Sequence, residues 1–389
     1  MQRGYTCEGI VADGRVLRDH ALLVDDGVIT ALLPEGEVPS SVELQRLPGA
    51  YLTPGLVDIH VHGAAGRGYN EGSPEAAAEI GRALLAAGVT TALPTFASAP
   101  LEDMIAGIAP ALSHSGEGRP WTPGVHFEGP YFAAAQAGAQ DPVCLRRPAD
   151  GTLPRVLEAA EQIRMLSLAP ELDGALEAIP RLVDAGIVVA AGHSDGTARD
   201  LARAQSAGLS HVTHVFSGQS TTRREGPWRV PGMLEATLAS DDLTVEIIAD
   251  GKHLPHELMV MARRCLGDRL CAVSDATPGA GLSNGSRYVM GGMTYVVDGG
   301  VGMTLDGTSF GGSTTLLPSM LPVLVDQLGL GIPDAVAMVT SSPARAARLD
   351  RIGRLAPSFF ADLALFDEQL KPVDVALRGV WQQLRKDLS

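Results

Sequence analysis

The chain has 389 residues, 45% hydrophobic and only 4% aromatic, so a large core must be packed mainly by Ala, Val, Leu and Gly. Its net charge of −15 excludes nucleic acid and an anionic membrane surface as general partners, although a few local cations can still bind one phosphate. No stretch offers the ~18 uninterrupted apolar residues of a membrane span, and the N-terminal MQRGYTCEGIVADGRVL has no apolar signal core, so the expectation is a soluble cytoplasmic protein.

The N-terminal segments YTCEGIVADGRVL and ALLVDDGVITALLP alternate in polarity around Asp13-Gly14 and Asp26-Gly27, a hairpin signal. The C-terminal GRLAPSFFADLALFD and VDVALRGVWQQ have the same character. The expected small β-sandwich domain is therefore built from both termini, residues 1–51 and 352–389. Four cysteines, Cys7, Cys144, Cys265 and Cys271, lack metal or disulfide spacing and read as small buried hydrophobes.

Between the termini, apolar runs alternate with Ala- and Leu-rich helical stretches such as SPEAAAEIGRALLAAG and PHELMVMARRCLG, the pattern of a parallel sheet with crossover helices. Eight strand candidates follow in order: LTPGLVDIHVHG, VTTALPTFAS, PGVHFEGPYF, IRMLSLAPEL, IVVAAGHSD, LSHVTHVFSG, TVEIIADGKH and LCAVSDATPG. Eight units predict an α/β fold, a (β/α)8 TIM barrel over residues 52–351, with its chemistry at the C-terminal ends of the strands. Residues 282–312 read as a hairpin excursion after the eighth strand, and helical runs at 315–329 and 333–348 close the barrel.

Polar residues collect at those strand ends. His60 and His62 project to one face of the first strand, because residues i and i+2 share a face. The third strand ends in Glu128, the fifth in His193, the sixth in His214 and the eighth in Asp275, with His253 after the seventh. Imidazoles and carboxylates are ligands for zinc or Fe(II) in hydrolytic sites, and a Glu between two half-sites can bridge a pair of ions. Asp275 is placed for general acid/base work beside an activated water, a role compatible with ligating the ion itself. His126 reads as structural. His211, three residues before His214, faces the opposite side of a continuous strand and reads as packing or support for a ligand.

The set resembles the amidohydrolase superfamily. Only three lysines occur (Lys252, Lys371 and Lys386), and the fourth strand, ending in LAPEL, has none, so a bridging carboxylated lysine is excluded. The second strand also lacks a cysteine. HFEGPY, AGHSDGT, THVF, ADGKH, SDATPGAGL and SSPARAARL together resemble the N-acetylglucosamine-6-phosphate deacetylase family, over nearly the whole chain. The resemblance implies a principal divalent metal on Glu128, His193 and His214. It implies a second on His60 and His62, hence one or two ions per chain: zinc first, with iron, manganese or cobalt as other ions for such sites. It also implies that Asp275 protonates the departing amine of an amino sugar phosphate, and that the enzyme is a homodimer. The substrate-contacting positions implied are Gln140, Ser217, Gly218, His253 and a phosphate-binding arginine, Arg223 or Arg224.

Three of these motifs depart from the family pattern. Gly138-Ala139-Gln140 replaces a Gly-Ala-His run, Phe216-Ser217-Gly218-Gln219 replaces Phe-Asn-Ala-Met, and TTRREGPW shifts the arginine and exchanges Gly226 with Pro227. The alternatives are an amidohydrolase for another N-acylated amino sugar or an unphosphorylated amide, and a metal-binding barrel without catalysis.

Overall fold

A computed structural model describes residues 2–116 and 118–384. Eight strands form one sheet in which each pairs in parallel with its sequence neighbours: β1 (Leu56–Val61), β2 (Val89–Phe96), β3 (Val125–Glu128), β4 (Ile163–Leu168), β5 (Val188–Ala191), β6 (His211–Val212), β7 (Thr244–Ile247) and β8 (Leu270–Ala272). The ring closes just beyond β8. Val61 bridges Ala276 in parallel, the Asp275 N–H donates to the His60 carbonyl at 2.9 Å, and the His62 N–H donates to the Ala276 carbonyl at 2.7 Å. All eight residues of β2 are buried, as expected of a parallel strand covered on both faces.

Crossover helices pack around this ring. In Pro74–Ala86, the Ser73 hydroxyl caps the N-terminus by accepting from the Ala76 N–H, and Ile80, Leu84 and Leu85 face the barrel. The predicted closing runs appear as Met320–Asp326, Ile332–Met338 and Ser341–Ala346. The last run breaks at Val339-Thr340, just ahead of Pro343, whose ring cannot continue a helix from the preceding turn.

Both termini build two further sheets. One has four strands, drawn from Arg3–Thr6, His20–Asp25, Val28–Pro34 and Glu43–Arg46. The other has six, and joins Gly9–Ala12, Arg15–Leu17 and Tyr51–Pro54 to Leu363–Phe366, Pro372–Leu377 and Val380–Trp381. Tyr5, Leu22, Ile29, Leu52, Leu363 and Leu365 form their common core. Both Asp-Gly turns connect strands through two residues at positive φ, the left-handed pair that the right-handed strand twist favours.

Two expectations need correction. The 282–312 excursion is a four-stranded antiparallel meander (Arg287–Met290, Met293–Asp298, Val301–Thr304, Phe310–Ser313), not a single hairpin. Its Tyr295 hydroxyl donates to the Ala139 carbonyl, tying it to the loop after β3. Of the cysteines, Cys7 and Cys271 are buried, but Cys144 is half-buried and Cys265 exposed, because it sits on the outer face of Leu266's helix.

Candidate metal centre

β1 directs Asp58, His60 and His62 inward at alternate positions, and all three are buried. At the end of β3, Glu128 accepts from Nε2 of His193 and Nε2 of His214, each 3.0 Å from its Oε1. Nε2 of His60 lies 3.2 Å from Nε2 of His62, and Nε2 of His62 lies 3.4 Å from Oε2 of Glu128. Oδ1 of Asp275 completes the cluster, 3.2 Å from His62 and 3.5 Å from His60.

The opposite ring nitrogens explain why these atoms converge. Nδ1 of His62 donates to the Thr95 carbonyl at 3.2 Å, Nδ1 of His193 to the Gln136 carbonyl at 2.9 Å, and Nδ1 of His60 to Glu246 at 2.9 Å. Each partner accepts the Nδ1 proton, which leaves Nε2 to the cavity, where it either carries a second proton toward a carboxylate or meets a cation. Nε2 of His60 and Nε2 of His62, 3.2 Å apart beside two carboxylates, need a proton or a cation between them. Burial pushes the imidazoles down, but Asp275 and Glu128 outweigh it and carry His62 to about 10, while Glu128 carries His214 to about 9. Burial pushes Glu128 up, yet hydrogen bonds from His193, His214 and His62 hold it well below the usual carboxylate range. The cluster calls for positive charge, and its donors form two groups able to hold an ion: Glu128 with His193 and His214, and Glu128 with His60 and His62. The residues present therefore fit a divalent metal.

Backbone geometry serves the same end. His193 and Asp275 sit at φ of 46° and 45°, left-handed conformations uncommon for residues with a side chain, at the points where their strands turn out of the sheet. Gly218 approaches His193 so closely that a Cβ there would lie 2.8 Å from Nδ1. Glu171, after β4, accepts from the Ser194 hydroxyl and the Asp195 N–H, bracing the loop that carries His193.

A cavity of about 200 Å³ opens over the cluster, and Gln140, Ser217, Gly218, His253 and Phe310 contribute to its wall. Nδ1 of His253 donates to Asp250 at 2.8 Å, and its buried Nε2 has no partner among the described residues. Gln140 is held at both ends, by Ser98 and by Glu128. Arg223 and Arg224 lie elsewhere, on an exposed antiparallel hairpin (Arg223–Glu225 with Trp228–Val230), where Arg223 pairs with Glu225 at 3.2 Å. Within one chain neither reaches the cavity wall. Lys252 donates to the Gly299 carbonyl at the meander.

Glu246 escaped the sequence reading, and His211 was expected to face away from the site. Glu246 on β7 is fully buried, accepting from Nδ1 of His60 and, at 3.1 Å, from Nε2 of His211. A lone glutamate within TVEII was the only signal. His211 does not point away from the site as strict alternation predicts, because β6 ends at Val212 and the chain turns before His214. His126 bonds the Ile59 carbonyl and the Ser167 hydroxyl, and burial together with the charge of His60 lowers it to about 3, which keeps it neutral.

A family model described as the amidohydrolase family matches residues 51–386. The chain is 30% identical over 367 residues to the N-acetylgalactosamine-6-phosphate deacetylase of Escherichia coli O157:H7, a match covering 93% of this chain and 94% of the relative. It is 28% identical to the N-acetylglucosamine-6-phosphate deacetylase of Haemophilus influenzae over 95% of this chain and 96% of that one. Among solved structures, the N-acetylglucosamine-6-phosphate deacetylase of Pasteurella multocida has a TM-score of 0.89 at 28% identity, covering 98% of this chain and 100% of its own. A mutant of the Mycobacterium smegmatis enzyme, in complex with N-acetyl-D-glucosamine-6-phosphate, has a TM-score of 0.89 at 30% identity, covering 98% and 99%.

Proposed function

The chain belongs to the amidohydrolase family and is a hydrolase of amide C–N bonds, and from that premise we propose that it deacetylates N-acetylglucosamine 6-phosphate to glucosamine 6-phosphate and acetate. The observation that carries the proposal is the convergence of four Nε2 atoms and Glu128 on one buried point, with Asp275 Oδ1 3.2 Å from His62.

Glu128, His193 and His214 would hold the principal ion, and His60 with His62 a second; zinc suits this donor set. A divalent ion there supplies Lewis acidity to the amide carbonyl and activates the attacking water. Asp275 takes the proton of that water on a carboxylate oxygen and returns it to the departing nitrogen, so the amine leaves neutral. Nε2 of His253, with Nδ1–H committed to Asp250, is an acceptor for a sugar hydroxyl. Ser217, Gly218 and Gln140 line the same cavity, with the Ser217 N–H bonded to the His214 carbonyl.

The exposed hairpin suits Arg223 and Arg224 to reach the phosphate in a partner's site, which makes the protein a homodimer. The expected boundary between 1–51 and 52–351 falls inside the strand Tyr51–Pro54, which pairs with Leu363–Phe366, so we take the small β-domain as reaching Pro54 and completed by the described residues from 352 on.

The test is to load the protein with zinc, add N-acetylglucosamine 6-phosphate and measure free amine. Release of amine is expected, weakened by Arg224→Ala only for phosphorylated substrates. A second arm uses N-acetylgalactosamine 6-phosphate, the substrate named for the Escherichia coli relative. Inertness toward every N-acetylhexosamine 6-phosphate would sink the proposal.

A further inference from the structure

Glu246 touches three parts of the centre at once. Its Oε2 accepts from Nδ1 of His60 at 2.9 Å and from the His214 backbone N–H at 3.2 Å, and its Oε1 lies 3.1 Å from Nε2 of His211. Below it, His211 Nδ1 meets the Thr244 hydroxyl at 2.7 Å, and that hydroxyl donates to the Ser210 carbonyl. A carboxylate wholly enclosed in a barrel is costly unless its oxygens are fully bonded, and these donors meet that need.

The contacts are unevenly shared between the two groups of donors. His193 has the Gln136 carbonyl behind it and Glu128 has Gln140, while His214 meets Glu246 through its backbone N–H and not through its ring. His60 has Glu246 as the acceptor for its Nδ1–H. With that acceptor removed, the ring gains by moving its proton to Nε2. From there it can donate toward Oδ1 of Asp275, 3.5 Å away, or Oε1 of Glu128, 3.7 Å away. Either bond takes the lone pair out of the cavity and engages a carboxylate that the chemistry needs free.

We propose that Glu246 is the positioning residue of the His60–His62 subsite: by accepting the Nδ1 proton of His60 it keeps Nε2 available, and binding of the second ion depends on it while binding of the first does not. The inference rests on the metal-dependent reading given above. Hydrogen-bond partners of metal-bound histidines typically contribute about 10–100-fold in affinity.

Two variants grade the effect. Glu246→Gln keeps the shape and one carbonyl acceptor, and Glu246→Leu keeps none. Each full-length protein, stripped of metal and equilibrated in buffers of fixed free zinc, is assayed for bound zinc by elemental analysis. Melting of the apo-protein serves as the check on folding. The expected result is two equivalents in the wild type, with the second binding step about 10-fold weaker in Glu246→Gln and about 100-fold weaker in Glu246→Leu, and the first unchanged. If the leucine variant does not fold, the glutamine variant decides alone. Two equivalents at wild-type affinity in the variants overturn the proposal and leave the metal-dependent reading intact. So does parallel weakening of both steps, the mark of a merely structural role, or a wild type that takes up only one ion. A wild type that takes up no zinc overturns both.

Discussion

Nε2 of Gln140 donates to Oε2 of Glu128 across 2.6 Å, while Oε1 of the same amide accepts the Ser98 backbone N–H at 2.7 Å. The backbone donor fixes which end of the amide is oxygen, so the amide nitrogen must face the carboxylate. Gln140 therefore steadies Glu128 and keeps one proton for whatever enters the cavity. Gln140→Leu removes a hydrogen bond to a charged group, worth about 1.5–3 kcal/mol. The expected outcome is a fall in kcat/KM of roughly 10–100-fold with weaker binding of the first zinc, read by steady-state kinetics and zinc titration. Unchanged zinc affinity would show that the contact does not position Glu128.

Asp275 holds its carboxylate beside His62 from a left-handed backbone position. Asparagine, like aspartate, tolerates that conformation better than most residues with a side chain, so Asp275→Asn alters the proton chemistry with little disturbance to the chain. A drop in kcat of about 10²–10⁴-fold is expected from losing general acid–base transfer, with zinc content largely kept. Retention of more than a tenth of the wild-type rate would remove Asp275 from the role.

His253 presents a buried, unpartnered Nε2 to the cavity. His253→Ala should raise KM for the sugar phosphate about tenfold, the worth of one polar contact. A kcat effect exceeding the KM effect would instead place His253 in the chemical step.

In the terminal β-layer, burial raises the Asp362 carboxyl above its usual range, although the Arg378 N–H and guanidinium pull the other way. The folded state therefore favours the protonated form. Stability is highest below the ordinary aspartate range near 3.9 and falls as pH rises through the raised value. Asp362→Asn should melt above wild type at neutral pH, and the gap should close on acidification below about pH 4. A gap that does not vary with pH would rule out this origin.

The eight strands and the convergence of His60, His62, Glu128, His193, His214 and Asp275 were legible because each belongs to an apolar run with a polar residue where the run ends. The meander was legible in principle. Gly291-Gly292 and Gly299-Gly300 each join paired strands, with all four residues at positive φ. Two such pairs mark two tight turns, where a single excursion was inferred. Glu246 was not legible, and His211 was read as support but on the wrong face, since their contacts run across the barrel between β1, β6 and β7, which no local pattern encodes. The Gln140–Glu128 bond was hidden for the same reason: sequence identified the residue type but not the direction of its amide.

The seam between β1 and the residues after β8 joins the two barrel strands farthest apart along the chain, so it closes the loop of greatest entropy cost. The same backbone bonds bring Asp275 to His60 and His62. A chain in which this seam is open lacks Asp275 beside His60 and His62. On the proposed role of Asp275, return of catalysis during refolding is a clock for ring closure.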